Sequence, residues 1–327
     1  MKTRTSLVAG LAAAALCLPV AAPAVAAPSS GASALVAQAS SAPAPSARAG
    51  SIGGAASAKL GKPSYRKLQT TKKRTSVTVR VTKPRYQKVA LQRKDSGKWR
   101  TVSTTRAPRA GSSAKVTLRV PAKAGNRAYR VVLGKSKHNK TVVSKSFKIF
   151  QSDSKKHAKY IAKARSYIKK YCPTTPIYID SPRVKDSWAI GMAWTRWKAT
   201  PRWTGKRWVY DWKWTQTIEL ASGQDAGQLR HTAIHECAHI VQARPIGKSE
   251  AAYDASKKAE QKIFAKGAAD PQEQQADCMA TAITGSTRYN YYTSSCNGSR
   301  AKNAKSMWKK WGLKYQNPER RWTTPAT

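Results

Sequence analysis

Five residues stand in a spacing that chemistry can use. His235-Glu236-Cys237-Ala238-His239 has the pattern H-E-x-x-H, and Glu273-Gln274-Gln275-Ala276-Asp277 follows about one helix-turn-helix later. Helical residues four apart share a face, so His235 and His239 can present both imidazoles to one point. Two neutral imidazoles are a good ligand pair for zinc. Glu236 stands beside them, where a carboxylate can take a proton from water. Glu273 and Asp277 are also four apart, so both face one way, and either can supply a third ligand. His231 continues the four-residue series one turn back and reads as a surface residue or a group behind the ligands. Cys237 is about 200° round the helix from His235 and should face the core.

These groups need helices to hold them. The run 154–171 carries an apolar stripe at helical spacing, with Asp153 as its expected N-cap. Runs 175–180, 188–197, 207–213 and 215–220 read as strands. Helices are expected over 223–243, 249–266, 271–284 and 299–312. Helix, strands, then helices predict an α+β domain over 151–327. Seven tryptophans (Trp188, Trp194, Trp197, Trp203, Trp208, Trp212 and Trp214) fall within 27 residues. They read as a small sheet packed with aromatics, in preference to a platform for stacking sugars or peptides.

HECAHIVQ (235–242) and EQQADCMA (273–280) together resemble the gluzincin class of zincin-like metallopeptidases, and most closely the bacterial neutral zinc metallopeptidases with H-E-x-x-H and E-x-x-A-D motifs. The likeness is strong over 225–285 and looser over 155–312. It implies a Zn2+ cofactor on His235, His239 and Glu273, with Asp277 orienting a ligand histidine. It implies hydrolysis of peptide bonds in a protein or peptide substrate by zinc-activated water, with Glu236 as general base. It also implies that the strand before the metal helix, 215–220, is the edge to which an extended peptide adds. The metzincin pattern does not fit, because Gln242 stands where it wants Gly and Pro245 where it wants His. Related enzymes stabilise the oxyanion with a Tyr, His or Arg after the third ligand. Arg288, Tyr289, Tyr291 and Tyr292 are all candidates. A different class remains open: a non-catalytic cell-envelope-binding protein with a structural or degenerate zinc site. A third reading is a hydrolase of peptidoglycan crosslinks, with the same zinc chemistry on another substrate.

The rest of the 327-residue chain sets the context. Lys2 and Arg4, an apolar stretch over 7–20 and Ala24-Val25-Ala26 have the order of a signal peptide, 1–26, which predicts a secreted or cell-wall-associated protein. Residues 27–60 are an Ala/Ser/Pro-rich linker. Over 61–150, short alternating runs at 75–81, 88–94, 98–105, 114–120, 128–134 and 142–150 are separated by turn signals and predict an all-β sandwich. VALQRKDSGKWRTVSTT with AGNRAYRVVLG resembles the immunoglobulin-like modules of exported bacterial proteins, which implies a spacer or adhesion role. This stretch holds 26 lysines and arginines against one acid, Asp95, within a chain of net charge +46. Anionic cell-wall polymers are therefore candidate partners of the basic sandwich. No specific nucleic-acid contact is expected, since no reading helix or ribonucleoprotein-type motif is present. The composition excludes collagen, coiled coils and multi-span membrane proteins. No transmembrane span is expected, because no apolar run other than the leader approaches about 18 residues. Beyond Cys17 in the leader, Cys172, Cys237, Cys278 and Cys296 make an even set for two disulfides. Four cysteines allow three pairings. The short loop favours Cys278 with Cys296, leaving Cys172 with Cys237.

Overall fold

Alternation of Val and Leu with polar residues builds the first half of the structure. The computed structural model describes residues 58–325, except 74, 109–111, 137–139, 188 and 265–268. The expected signal peptide with Cys17, nearly all of the linker, and Trp188 lie outside the described residues. Nine strands come first: β1 (Lys59–Leu60), β2 (Leu68–Thr70), β3 (Thr75–Thr82), β4 (Lys88–Asp95), β5 (Lys98–Arg106), β6 (Ser113–Val120), β7 (Gly125–Leu133), β8 (Val142–Val143) and β9 (Phe147–Ser152). They form a three-stranded sheet, β1-β3-β6, and a second sheet, β2-β9-β7-β4-β5, with β8 on β7. Period-two patterning sends Val77, Val79 and Val81 of β3 and Val116, Leu118 and Val120 of β6 to one face. They share a single core with Val89, Leu91, Tyr129, Val131, Leu133 and Ile149 of the second sheet. Burying each such Val or Leu is worth about 1.5–3 kcal/mol. The run expected as one strand over 142–150 is two, because Ser144 turns the chain: its N–H bonds the Val131 carbonyl and its Oγ accepts from Val131 N–H.

The second half mixes helices and strands: α1 (Ala158–Ile168), β10 (Ile177–Ile179), α2 (Pro182–Ser187), β11 (Gly191–Trp203), β12 (Trp208–Leu220), α3 (Ala226–Gln242), a 3-10 turn (Arg244–Gly247), α4 (Glu250–Phe264), α5 (Pro271–Thr284), α6 (Gly298–Trp311) and β13 (Glu319–Pro325). Two expectations are corrected here. Asp153 does not cap α1: its carboxylate accepts from the N–H groups of Lys155 and Lys156 in a separate turn, and α1 begins only at Ala158. The runs 207–213 and 215–220 are one strand, because no turn residue divides them and Trp214 between them is fully buried, its indole donating to the Asn317 carbonyl.

β12 is the centre of its sheet. One edge pairs with β11 along its whole length. The other edge pairs in parallel with β10 over Ile218–Leu220 and antiparallel with β13 over Val209–Thr215. Both edges of 215–220 are therefore occupied, so this segment is not the free edge the resemblance implied. Among the described residues β11, β10 and β13 each have one edge without a strand partner. Helices cover the inner half of this sheet, and Ile218, Leu220, Ile234, Ile240, Met279 and Trp308 lie in their common core. Disulfides join Cys172 to Cys237 and Cys278 to Cys296. Residues 54–327 form one compact unit.

Candidate metal centre

α3 starts where Asp225 accepts the N–H of Gln228 at 2.8 Å. It lies almost entirely buried, with Leu229, Ala233, Ile234 and Cys237 turned into the core. It also approaches the sheet so closely that only glycine fits at position 191. A Cβ there would stand 2.6 Å from both Glu236 Oε1 and Thr232 Cγ2. α5 opens with Asp270 accepting from Gln272 N–H and with Pro271 in its first turn, which puts Glu273 one turn in.

Three ligand atoms converge between α3 and α5. His235 Nε2 lies 3.1 Å and His239 Nε2 3.0 Å from Glu273 Oε2, and the two Nε2 atoms are 3.0 Å apart. Such a triangle suits three ligands of one small cation, whose bonds to imidazole and carboxylate are about 2.0–2.2 Å long. Both imidazoles are held in the orientation this needs. His235 Nδ1 is 2.9 Å from Asp277 Oδ1, a pure acceptor, so Nδ1–H donates to it and Nε2 is the nitrogen turned toward Glu273. His239 Nδ1 lies 2.8 Å from Gln242 Oε1. The Gln242 amide is itself oriented, since its Nε2 donates to the Gln272 carbonyl and to Gln275 Oε1. Only Oε1 is then left to face His239, so that ring too turns its Nε2 toward Glu273. The neighbouring carboxylates, overcoming burial, raise both imidazoles, His235 to about 10; once their Nε2 protons are released, two ring nitrogens and a carboxylate oxygen make a donor set that fits zinc.

Electrostatics divides the acids. Burial raises the Glu236 carboxyl to about 7, against the opposite pull of the two imidazoles. Burial works the same way on Glu273 and Asp277, but the adjacent imidazoles overcome it and hold both well below the usual carboxylate range. One carboxyl near neutrality therefore stands beside two that stay ionised.

Asp277 does more than face His235. Its Oδ2 accepts the backbone N–H groups of Tyr291, Tyr292 and Thr293 at 3.0, 2.7 and 3.2 Å. This pins the loop after α5 against the cluster. The Tyr292 ring lies 6.0 Å from that of His235, nearly parallel to it, and burial with the nearby carboxylates raises its hydroxyl to about 12. The other three candidates point elsewhere. Tyr291 Oη accepts from Gln228, Tyr289 Oη reaches toward Asp225, and Arg288 lies over the Tyr289 ring. His231 is buried, not a surface residue, with Nε2 3.7 Å from Asp277 Oδ1. His231, His235 and Asp277 form a second close group. There His235 would offer Nδ1, which is already bonded to Asp277, and all three residues are buried; the Glu273 group alone opens to solvent.

Two residues of this site escaped the motif. Gln242 was legible only as a departure from another pattern, although an amide three residues after His239 on a helix is placed to reach it. Gly191 is far in sequence from α3, and nothing local marks it. Compared with protein-family models, curated proteins and solved structures, the chain matches none.

Proposed function

We propose that this protein is a zinc-dependent peptidase of the zincin kind, with His235, His239 and Glu273 as metal ligands and Glu236 as general base. The observation that carries the reading is the convergence of His235 Nε2, His239 Nε2 and the Glu273 carboxylate beside the buried Glu236 carboxyl. When bound, zinc supplies Lewis-acid polarisation of a carbonyl and a more acidic water. Glu236 takes the proton of the attacking water and returns it to the leaving amine; a pKa near the working pH suits both transfers. Asp277 and Gln242 keep the imidazoles fixed while charge moves. The Tyr292 hydroxyl stays protonated and serves as the donor to the developing oxyanion. An extended peptide adds to the free edge of β11, whose first residue, Gly191, abuts Glu236.

The first 26 residues are proposed to export the chain, 27–60 to act as a linker, and the basic β region (61–150), read as an immunoglobulin-like sandwich, to hold the protein on anionic envelope polymers. Its one acid, Asp95, is already engaged by Arg93 and lies 3.8 Å from Lys123, so the cationic excess is uncompensated.

The deciding experiment uses the full mature chain. Metal analysis should find about one zinc per chain, lost in His235→Ala and Glu273→Ala. Glu236→Gln should keep zinc and lose nearly all hydrolysis of a fluorogenic casein. Zinc bound with no hydrolysis of any peptide would favour the envelope-binding reading, and hydrolysis surviving in Glu236→Gln would remove the base from its role.

A further inference from the structure

The hairpin of β11 and β12 continues outward past the helices that cover its inner half. Register places Trp203 opposite Trp208, Pro201 opposite Tyr210 and Ala199 opposite Trp212. β13 adds Trp322 opposite Trp212. These residues share one face, the same face that α3 packs on nearer Gly191. Close to the core the row is ordinary packing: Trp214 is buried and Trp197 meets Tyr253 of α4. Farther out, among the described residues, the row opens to solvent. Trp203 and Trp208 at the tip are 52% and 55% exposed, and Tyr210 behind them 37%. The expectation of a sheet simply packed with aromatics therefore holds only for the inner end.

We propose that this outer ring face binds an acidic polysaccharide. Indole faces match the C–H surfaces of pyranose rings, and a row of inclined rings along a strand suits a linear polymer whose successive sugar rings need not be parallel. The charge is complementary. Lys206 and Arg207 sit at the turn, and Arg320, opposite Trp214, shares the ring face, its guanidinium 5.0 Å from the centre of the Trp322 ring. The two acids nearby are already engaged, Asp211 by Arg202 and Glu319 by Arg66. Other polymers fit less well. Successive nucleobases need parallel ring faces left open, as on single-strand binding platforms. Here Trp203 and Trp208 are inclined at 56°, Tyr210 and Trp212 at 60°, and the one parallel pair, Trp212 and Trp322, is stacked on itself. A lipid surface would use the tip alone, whereas this row runs back along the sheet.

The test is independent of any hydrolysis. Full-length mature protein is titrated with polygalacturonate in about 0.3 M NaCl, where the diffuse attraction of a highly basic chain is screened. The double substitution Trp203→Ala with Trp208→Ala should weaken binding at least about tenfold, as expected for two exposed aromatic anchors. Trp203→Tyr with Trp208→Tyr should stay within about threefold, because ring faces persist. Lys88→Ala with Arg106→Ala, in the β region, should change little. An unchanged thermal midpoint shows that the hairpin remains folded. The proposal is overturned if the alanine pair binds polygalacturonate as wild type does. It is equally overturned if ring-dependent binding is found only for oligothymidylate or phosphatidylglycerol vesicles.

Discussion

His239 depends on Gln242 for its chemistry. A free imidazole exchanges its proton between two nitrogens, and the amide oxygen at 2.8 Å favours it on Nδ1, closer than the Gln272 amide nitrogen at 3.5 Å. Gln242→Ala should therefore weaken zinc binding about 10–100-fold, the usual range for loss of a group that orients a ligand. Competition with a chromophoric chelator measures this, and an unchanged affinity would mean that the ring is held by something else. Gly191 makes a second test at this scale. Gly191→Ala drives a methyl to within 2.6 Å of Glu236 Oε1 and of Thr232. The expected cost is about 1–3 kcal/mol of stability, as for other overpacked sites, with a shift in the pH profile of turnover because the carboxyl must move. The residue types and spacing on α3 and α5 announced the three convergent groups directly, since helical periodicity is local. Gly191 and Gln242 act through contacts whose meaning depends on which surfaces meet, and periodicity carries no such information.

At the scale of elements, the longer helices were legible, whereas the short α2 and the sheet order were not. The apolar stripes marked α3 to α6 to within a few residues. The free edge was misjudged, because position in the chain does not reveal that β13, more than ninety residues later, returns to cover β12. The loop after α5 illustrates the same limit. Its three N–H groups converge on Asp277 while the Cys278–Cys296 bridge closes it behind. That bridge spans 18 residues. Closing a loop of this size stabilises by about 3 kcal/mol in the chain-entropy model. Replacing both cysteines by serine should lower stability by that order. It should also weaken zinc binding, because Asp277 loses the ordered donors that hold it toward His235. Denaturant unfolding together with chelator competition separates the two effects. A stability loss with unchanged zinc affinity would show that the loop, though stapled, does not tune the metal ligands.

On the scale of the whole molecule, the basic β region and the region with the candidate metal cluster meet at a sheet edge. No helix among the described residues is long and apolar enough to cross a membrane. β10 has one edge on β12 and presents the other to the end of β9. Ile179, buried there, donates its N–H to Ser152 Oγ at 3.0 Å, and its carbonyl lies 3.3 Å from the same hydroxyl. A single side chain thus satisfies both backbone groups of a strand edge that would otherwise face an apolar contact unpaired. Arg66 and Glu319 pair farther out, but that ion pair is half in water and contributes little. The seam therefore rests on Ser152. Ser152→Ala should cost about 1–3 kcal/mol, the penalty of leaving buried backbone groups unsatisfied. Arg66→Ala should change stability by less than about 1 kcal/mol. Most tryptophans lie in the region with the candidate metal cluster, whereas circular dichroism also reports the β region. The two probes should give one coincident transition in the wild type and separate in Ser152→Ala if the hydroxyl couples the halves. Coincident curves with no loss of stability would mean that the halves are joined by apolar packing alone.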